Sequence, residues 1–171
     1  MLRPRIFFAF SLCLFLGVVL AAQEMHPAAR STPAFDQLKS LAGEWTGKDS
    51  SGDAVKVVYS IVSNGSAVME HLSPASPHEM VTMYTLDGDR IVVTHYCSAG
   101  NQPTMQTATT PTANGKYDFS LVRVSGTKTA DEPHMAALTL TIADNDHLTE
   151  AWTFDNHGKS MVDTLTYTRV K

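Results

Sequence analysis

Cysteine is nearly missing from this 171-residue chain: there are two, and Cys13 lies inside an apolar leader. Cys97 alone remains in the body of the chain, so no internal disulfide can form there and no Cys-x-x-Cys metal or redox pair exists. Charge is sparse too, at 18% of residues with a formal net of −4 and no basic run. That balance argues against nucleic acid or an anionic membrane surface as partner. Also absent are a Gly-x-Ser-x-Gly elbow, a phosphate-cradling glycine loop and a His-Glu-x-x-His helix, which removes the commonest hydrolase, nucleotide-binding and zinc-protease signatures. The chain contains no sequence repeat and no long low-complexity tract.

The leader has the order of a secretory signal peptide. Arg3 and Arg5 precede an uncharged, mostly apolar run from Ile6 to Leu20, and Ala21-Ala22 supply small residues at a cleavage point. The run is short of the roughly 20 apolar residues that a membrane span needs. Phe10-Ser11-Leu12 before Cys13 does not make a lipidation box. The expectation is a signal peptide over 1–22, a flexible lead-in over 23–32 and one domain over 33–171, exported to the periplasm or secreted, with no membrane association after cleavage. The exported part keeps roughly 150 residues, enough for one real core.

Thr32-Pro33 reads as a helix N-cap followed by proline at the first helical position. Phe35, Leu38 and Leu41 recur at helical spacing until Gly43 stops the run. Beyond Gly43 the pattern changes. Runs rich in Val, Thr, Tyr, Phe and Ile alternate with turn signals such as Ser51-Gly52-Asp53, Asn64-Gly65, Asp87-Gly88, Asn114-Gly115 and Ser125-Gly126. Strands are expected near 44–48, 55–62, 66–72, 79–86, 90–97, 104–110, 116–123, 135–143, 147–154 and 160–169. Without a second helix of useful length, a parallel βαβ architecture is excluded. The fold class is all-β: an antiparallel up-and-down barrel of about ten strands with one short N-terminal helix.

Two turns are specific enough to set register. Asn64-Gly65 as a two-residue turn pairs Tyr59 with Glu70 and Ile61 with Val68. Val57, Tyr59, Ile61, Val68, Glu70 and Leu72 then share the more apolar face, which is placed inward and takes the carboxylate of Glu70 with it. Asp87-Gly88 as a two-residue turn pairs Tyr84 with Ile91, Thr82 with Val93, Met80 with His95 and His78 with Cys97.

Leu41-Ala42-Gly43-Glu44-Trp45-Thr46-Gly47, following a short helix and opening the β region, resembles the calycin barrels: lipocalins, fatty-acid-binding proteins and nitrobindin-like proteins. The resemblance implies that Trp45 plugs one barrel end and that the interior takes a small molecule. The stretch Thr94-His95-Tyr96-Cys97-Ser98-Ala99-Gly100-Asn101-Gln102-Pro103, after Asp87-Gly88-Asp89, is similar to a bacterial family of exported proteins without an assigned activity. Nitrobindin-like proteins imply haem held by a histidine near the chain end, where this chain has His147 and His157, neither within a recognisable family motif.

These patterns point to a binding protein for a small apolar or amphipathic molecule. Tyr59, Glu70, Tyr84, His95, Cys97, Asn101, Gln102 and Trp152 are the candidate ligand contacts. The entrance is expected between the 73–78 and 98–103 loops, with His95 and Asn101 lining one pocket. His78, His95 and Cys97 on one hairpin face suit a transition metal such as zinc or copper, and His71 on the neighbouring strand could join them. The plainer reading leaves His78 in water and Cys97 as a small buried hydrophobe. An enzyme using Glu70 with His95 as an acid–base pair is the alternative to a binding module.

Overall fold

The computed structural model describes residues 28–111, 113–129 and 131–171. The leader, with Arg3, Arg5 and Cys13, and the start of the lead-in lie outside the described residues. A helix, α1 (Pro33–Lys39), precedes ten strands: β1 (Gly43–Lys48), β2 (Ala54–Val62), β3 (Ala67–Leu72), β4 (Met80–Asp87), β5 (Arg90–Tyr96), β6 (Gln102–Thr107), β7 (Lys116–Ser125), β8 (His134–Ile142), β9 (His147–Asn156) and β10 (Lys159–Arg169). Each strand pairs antiparallel with the next, and β1 closes on β10. The result is the expected ten-stranded closed antiparallel barrel, a form consistent with the calycin likeness.

The helix starts where its sequence says it should. The Thr32 hydroxyl accepts from the Phe35 N–H at 3.2 Å, and Pro33 fills the first turn. Its buried stripe of Ala34, Phe35 and Leu38 caps one end of the barrel. Phe35 and Leu38 each contribute about 1.5–3 kcal/mol by leaving water. Gln37 ties the helix to the wall by accepting from the Gly115 N–H, and the Tyr117 hydroxyl donates to the same side-chain oxygen. Trp45 is fully buried beneath this cap. Its indole N–H donates to the Leu41 carbonyl at 2.9 Å, and the Arg169 guanidinium lies 4.1 Å from its ring centre.

The β2–β3 hairpin takes the expected register, with Tyr59 opposite Glu70 and Ile61 opposite Val68. The turn itself is wider than the expected two residues: pairing ends at Val62 opposite Ala67, Ser63, Asn64 and Gly65 all take positive φ (52°, 54° and 82°), and the Ser66 N–H donates to the Ser63 carbonyl at 3.1 Å. The inward face is also as expected except at Ile61, which is 48% exposed. The cause is barrel geometry: β1 begins at Gly43, opposite Tyr59, so β2 runs beyond its neighbour and Ile61 overhangs the rim.

The β4–β5 hairpin differs from its expected register by two residues. Gly88 at φ 59° takes the first central turn position and Asp89 the second, with Asp87 opposite Arg90. A turn with positive φ only at its first central residue is of the II′ kind and wants glycine there. Thr82 therefore faces His95, and Tyr84 faces Val93. A shift of two keeps every side chain on its face, so Thr82, Tyr84, Ile91, Val93 and His95 are buried together. β6 starts earlier than expected, so Gln102 and Pro103 are strand residues. Pro103 sits beyond the β5–β6 ladder, which ends at Thr94 opposite Thr104, so its missing N–H costs no bond to β5.

Candidate ligand-binding site

The middle of the barrel is filled by the protein's own side chains. Tyr59, Tyr84, Tyr167, Phe119 and Met105 are all essentially inaccessible. Two carboxylates, Glu70 on β3 and Glu150 on β9, are buried among them. Glu150 points inward because Leu148, Glu150 and Trp152 alternate with outward residues on one strand.

Each carboxylate is held by neutral donors. The Tyr84 hydroxyl donates to Glu70 Oε2 at 2.7 Å. Tyr59 donates its hydroxyl proton to Glu150 Oε1, and the Trp152 indole N–H donates to Glu150 Oε2 at 3.1 Å. Removal from water raises Glu70 well above the ordinary carboxylate value, and the nearby Glu150 raises it further; the Tyr84 and Thr82 hydroxyls partly offset this. Burial raises Glu150 as well, against the opposing donors Tyr59 and Trp152. The Tyr59 and Tyr84 hydroxyls are pushed well up by burial and by these carboxylates, so both remain protonated donors.

A line of polar groups runs from this centre toward the end opposite the helix. Thr82 is the direct cross-strand neighbour of Glu70 on one side and of His95 on the other. Its hydroxyl lies 3.0 Å from His95 Nδ1. The His95 ring stacks at a tilt on Trp152, with centroids 4.7 Å apart. Burial lowers the His95 pKa to about 4, so the imidazole is neutral near pH 7. Its Nε2 is buried without a protein hydrogen-bond partner.

His95 and Trp152 form part of the wall of a cavity of about 80 Å³. Leu72, Met80, Met135 and Leu165 supply the apolar remainder, and Asp163 stands at the rim, where its carboxylate accepts from the Ser50 N–H at 3.2 Å. The loops between β3 and β4 and between β5 and β6 lie at this end of the barrel. Two larger depressions, of about 360 Å³ beside Asn114 and Tyr117 and about 530 Å³ beside Leu121 and His134, are more open. Neither is lined by a buried polar atom lacking a partner.

Of the eight candidate contacts, Tyr59, Glu70, Tyr84, His95 and Trp152 gather in this interior. Cys97, Asn101 and Gln102 do not line the cavity. They build the β5–β6 connection instead. The Cys97 N–H donates to the Asn101 carbonyl at 3.1 Å, and Gln102 Nε2 donates to the Gly100 carbonyl at 3.1 Å. The Asn101 amide donates to the Pro133 carbonyl at 2.8 Å and ties two loops together. The expectation that His95 and Asn101 share one pocket is therefore corrected: Asn101 is taken up in loop closure.

The metal set is corrected as well. His78 is exposed in the loop before β4, while His95 is buried in the wall. The two-residue change of register removes His78 from its place opposite Cys97. His71 faces outward and pairs with Glu79 at 3.0 Å. Among the described residues, no three histidine, cysteine or carboxylate side chains are grouped to hold a metal. Haem does not fit either. His147 and His157 are exposed and lie beside Asp144 and Asp131 at the surface. The cavity is also well below the roughly 300 Å³ at which pockets for drug-sized molecules begin.

Glu150, Thr82, Met135 and Asp163 were not among the sequence candidates. Glu150 was detectable, since the run Leu148-x-Glu150-x-Trp152 commits its carboxylate to the face of Trp152. Met135 and Asp163 carry no local signal, because only closure of the barrel brings β8 and β10 to the cavity. No family model matches this chain, and no curated protein matches its sequence.

Proposed function

We propose that this protein is an exported small-molecule-binding barrel whose site is the cavity at the end opposite the helix. One observation carries the reading: His95 Nε2 is a buried polar atom without a protein partner, in the wall of an otherwise largely apolar cavity. A pocket of that kind, apolar with one placed polar group, is what a small-molecule site needs. An unpaired buried polar group costs about 1–3 kcal/mol, and a ligand that pairs with it recovers that cost. The ligand is small, or inserts a small head and leaves the rest outside. The unbranched side chains of Met80 and Met135 can adapt to its shape. The calycin likeness supports the reading through its barrel and its Trp45 plug. The leader supports export, and the N-terminus of the exported protein should be Gln23; a chain that retains Arg3 and Arg5 would refute that part.

The binding reading is tested by extracting small molecules from the purified protein and identifying them by mass spectrometry. His95→Ala should lose whatever the unmodified protein carries while its circular dichroism is unchanged. Equal occupancy in the two proteins would move the site elsewhere.

A further inference from the structure

We infer that the cavity selects a neutral hydroxyl head group, an alcohol or a phenol, and rejects carboxylates and phosphates. The inference rests on the cavity being the binding site proposed above, and it adds the chemical class of the ligand. Its first support is the position of Thr82 between Glu70 and His95 on adjacent strands. Thr82 has one hydroxyl proton. Its hydroxyl lies 3.0 Å from His95 Nδ1, a contact in which either group can donate, and it has no hydrogen bond to Glu70, whose Oε1 is buried without a partner. A neutral imidazole presents either a bare lone pair or an N–H at Nε2, according to which group donates in that contact. The unpartnered atom of the cavity wall therefore calls for a group that both donates and accepts, as a hydroxyl does.

The second support is the sign of the surrounding charge. None of the described buried residues is Lys or Arg. Besides His95, which is neutral near pH 7, the ionisable groups near the cavity are carboxyls: Asp163 at the rim, and Glu70 and Glu150 behind. An anionic head would lose its hydration and meet no cation, which is costly in an apolar site. A fatty-acid carboxylate, the ligand that a fatty-acid-binding likeness would suggest, is thus the wrong head group here. The flat, tilted pair of His95 and Trp152 offers an aromatic surface beside the unpartnered nitrogen.

The test uses phenol, toluene and benzoate, three molecules of nearly one shape that differ in donor and charge. Titration of the protein, followed by Trp152 fluorescence in a Trp45→Phe background and by NMR, should show phenol binding about tenfold tighter than toluene, the worth of one hydrogen bond. Benzoate should bind weaker still. In His95→Phe the preference for phenol over toluene should vanish. The Nε2 nitrogen chemical shift of His95 in the unmodified protein should move when phenol binds and not when toluene does. Toluene or benzoate binding as well as phenol, or an Nε2 shift indifferent to phenol, would overturn the inference while leaving the site in place. Failure of all three molecules to bind would overturn the site itself, and the inference with it.

Discussion

Glu70, Glu150 and His95 put opposing pH dependences into one interior. Burial raises both glutamates, so the folded protein keeps their protons to higher pH than the unfolded chain does. Their stability contribution is complete below the ordinary value of 4.5 and is lost as pH rises through the folded values. His95 acts in the reverse sense. Its pKa falls from 6.5 to about 4, so its contribution is complete above 6.5 and is lost as pH falls toward 4. Thermal melting against pH should therefore show a dome. Glu70→Gln should flatten the alkaline arm and raise the melting temperature there, because it removes the need to ionise a buried carboxyl. His95→Phe should flatten the acid arm between 6.5 and 4. Parallel curves for the variants and the unmodified protein would show that these groups do not set the pH dependence.

The strands differ in how firmly they are joined. The closing seam between β1 and β10 depends on Gly47, which lies opposite Tyr167. A Cβ at Gly47 would come within 1.9 Å of the Thr166 carbonyl oxygen and 2.9 Å of Tyr167 Cα. These are backbone atoms and cannot rotate away. Gly47→Ala should destabilise the protein by about 1–3 kcal/mol or more, the usual cost of overpacking, and chemical denaturation measures it. Gly47 is not at positive φ, so its cost is steric; the same substitution at Gly52, at φ 87° with nothing within 4 Å of the added Cβ, measures the conformational cost alone. β7 and β8 are joined less fully: their pairing covers Lys116 to Ser120, while Leu121 and Val122 stay exposed.

At the scale of the whole molecule the barrel has two unlike ends. One is closed by α1 and Trp45; the other holds the cavity beside His95. Trp45 links helix, β1 and β10 through Leu41 and Arg169. Trp45→Ala should cost about 3–5 kcal/mol, as removal of a buried aromatic does. A loss below about 1 kcal/mol in equilibrium unfolding would mean that the cap adds little to the core.

The sequence by itself determined the helix, the ten strands and the inward turn of Tyr59, Glu70, Val68 and Leu72. Those features follow from local rules: proline and threonine at a helix start, alternation along a strand, and Asn-Gly at a turn. It also determined that His95 shares a face with Thr82 and Tyr84, since parity survives a shift of two. Only the tertiary structure decided the exact partners. The choice between Asp87-Gly88 and Gly88-Asp89 rests on which turn conformation suits the closed sheet, and it removed His78 from Cys97. The exposure of Ile61 depends on where its paired neighbour β1 begins. The meeting of Glu150 with Tyr59, and of Met135 and Asp163 with His95, crosses the barrel. Strand periodicity carries a side chain's face but not its depth or its neighbour across the interior, and the site is made of such neighbours.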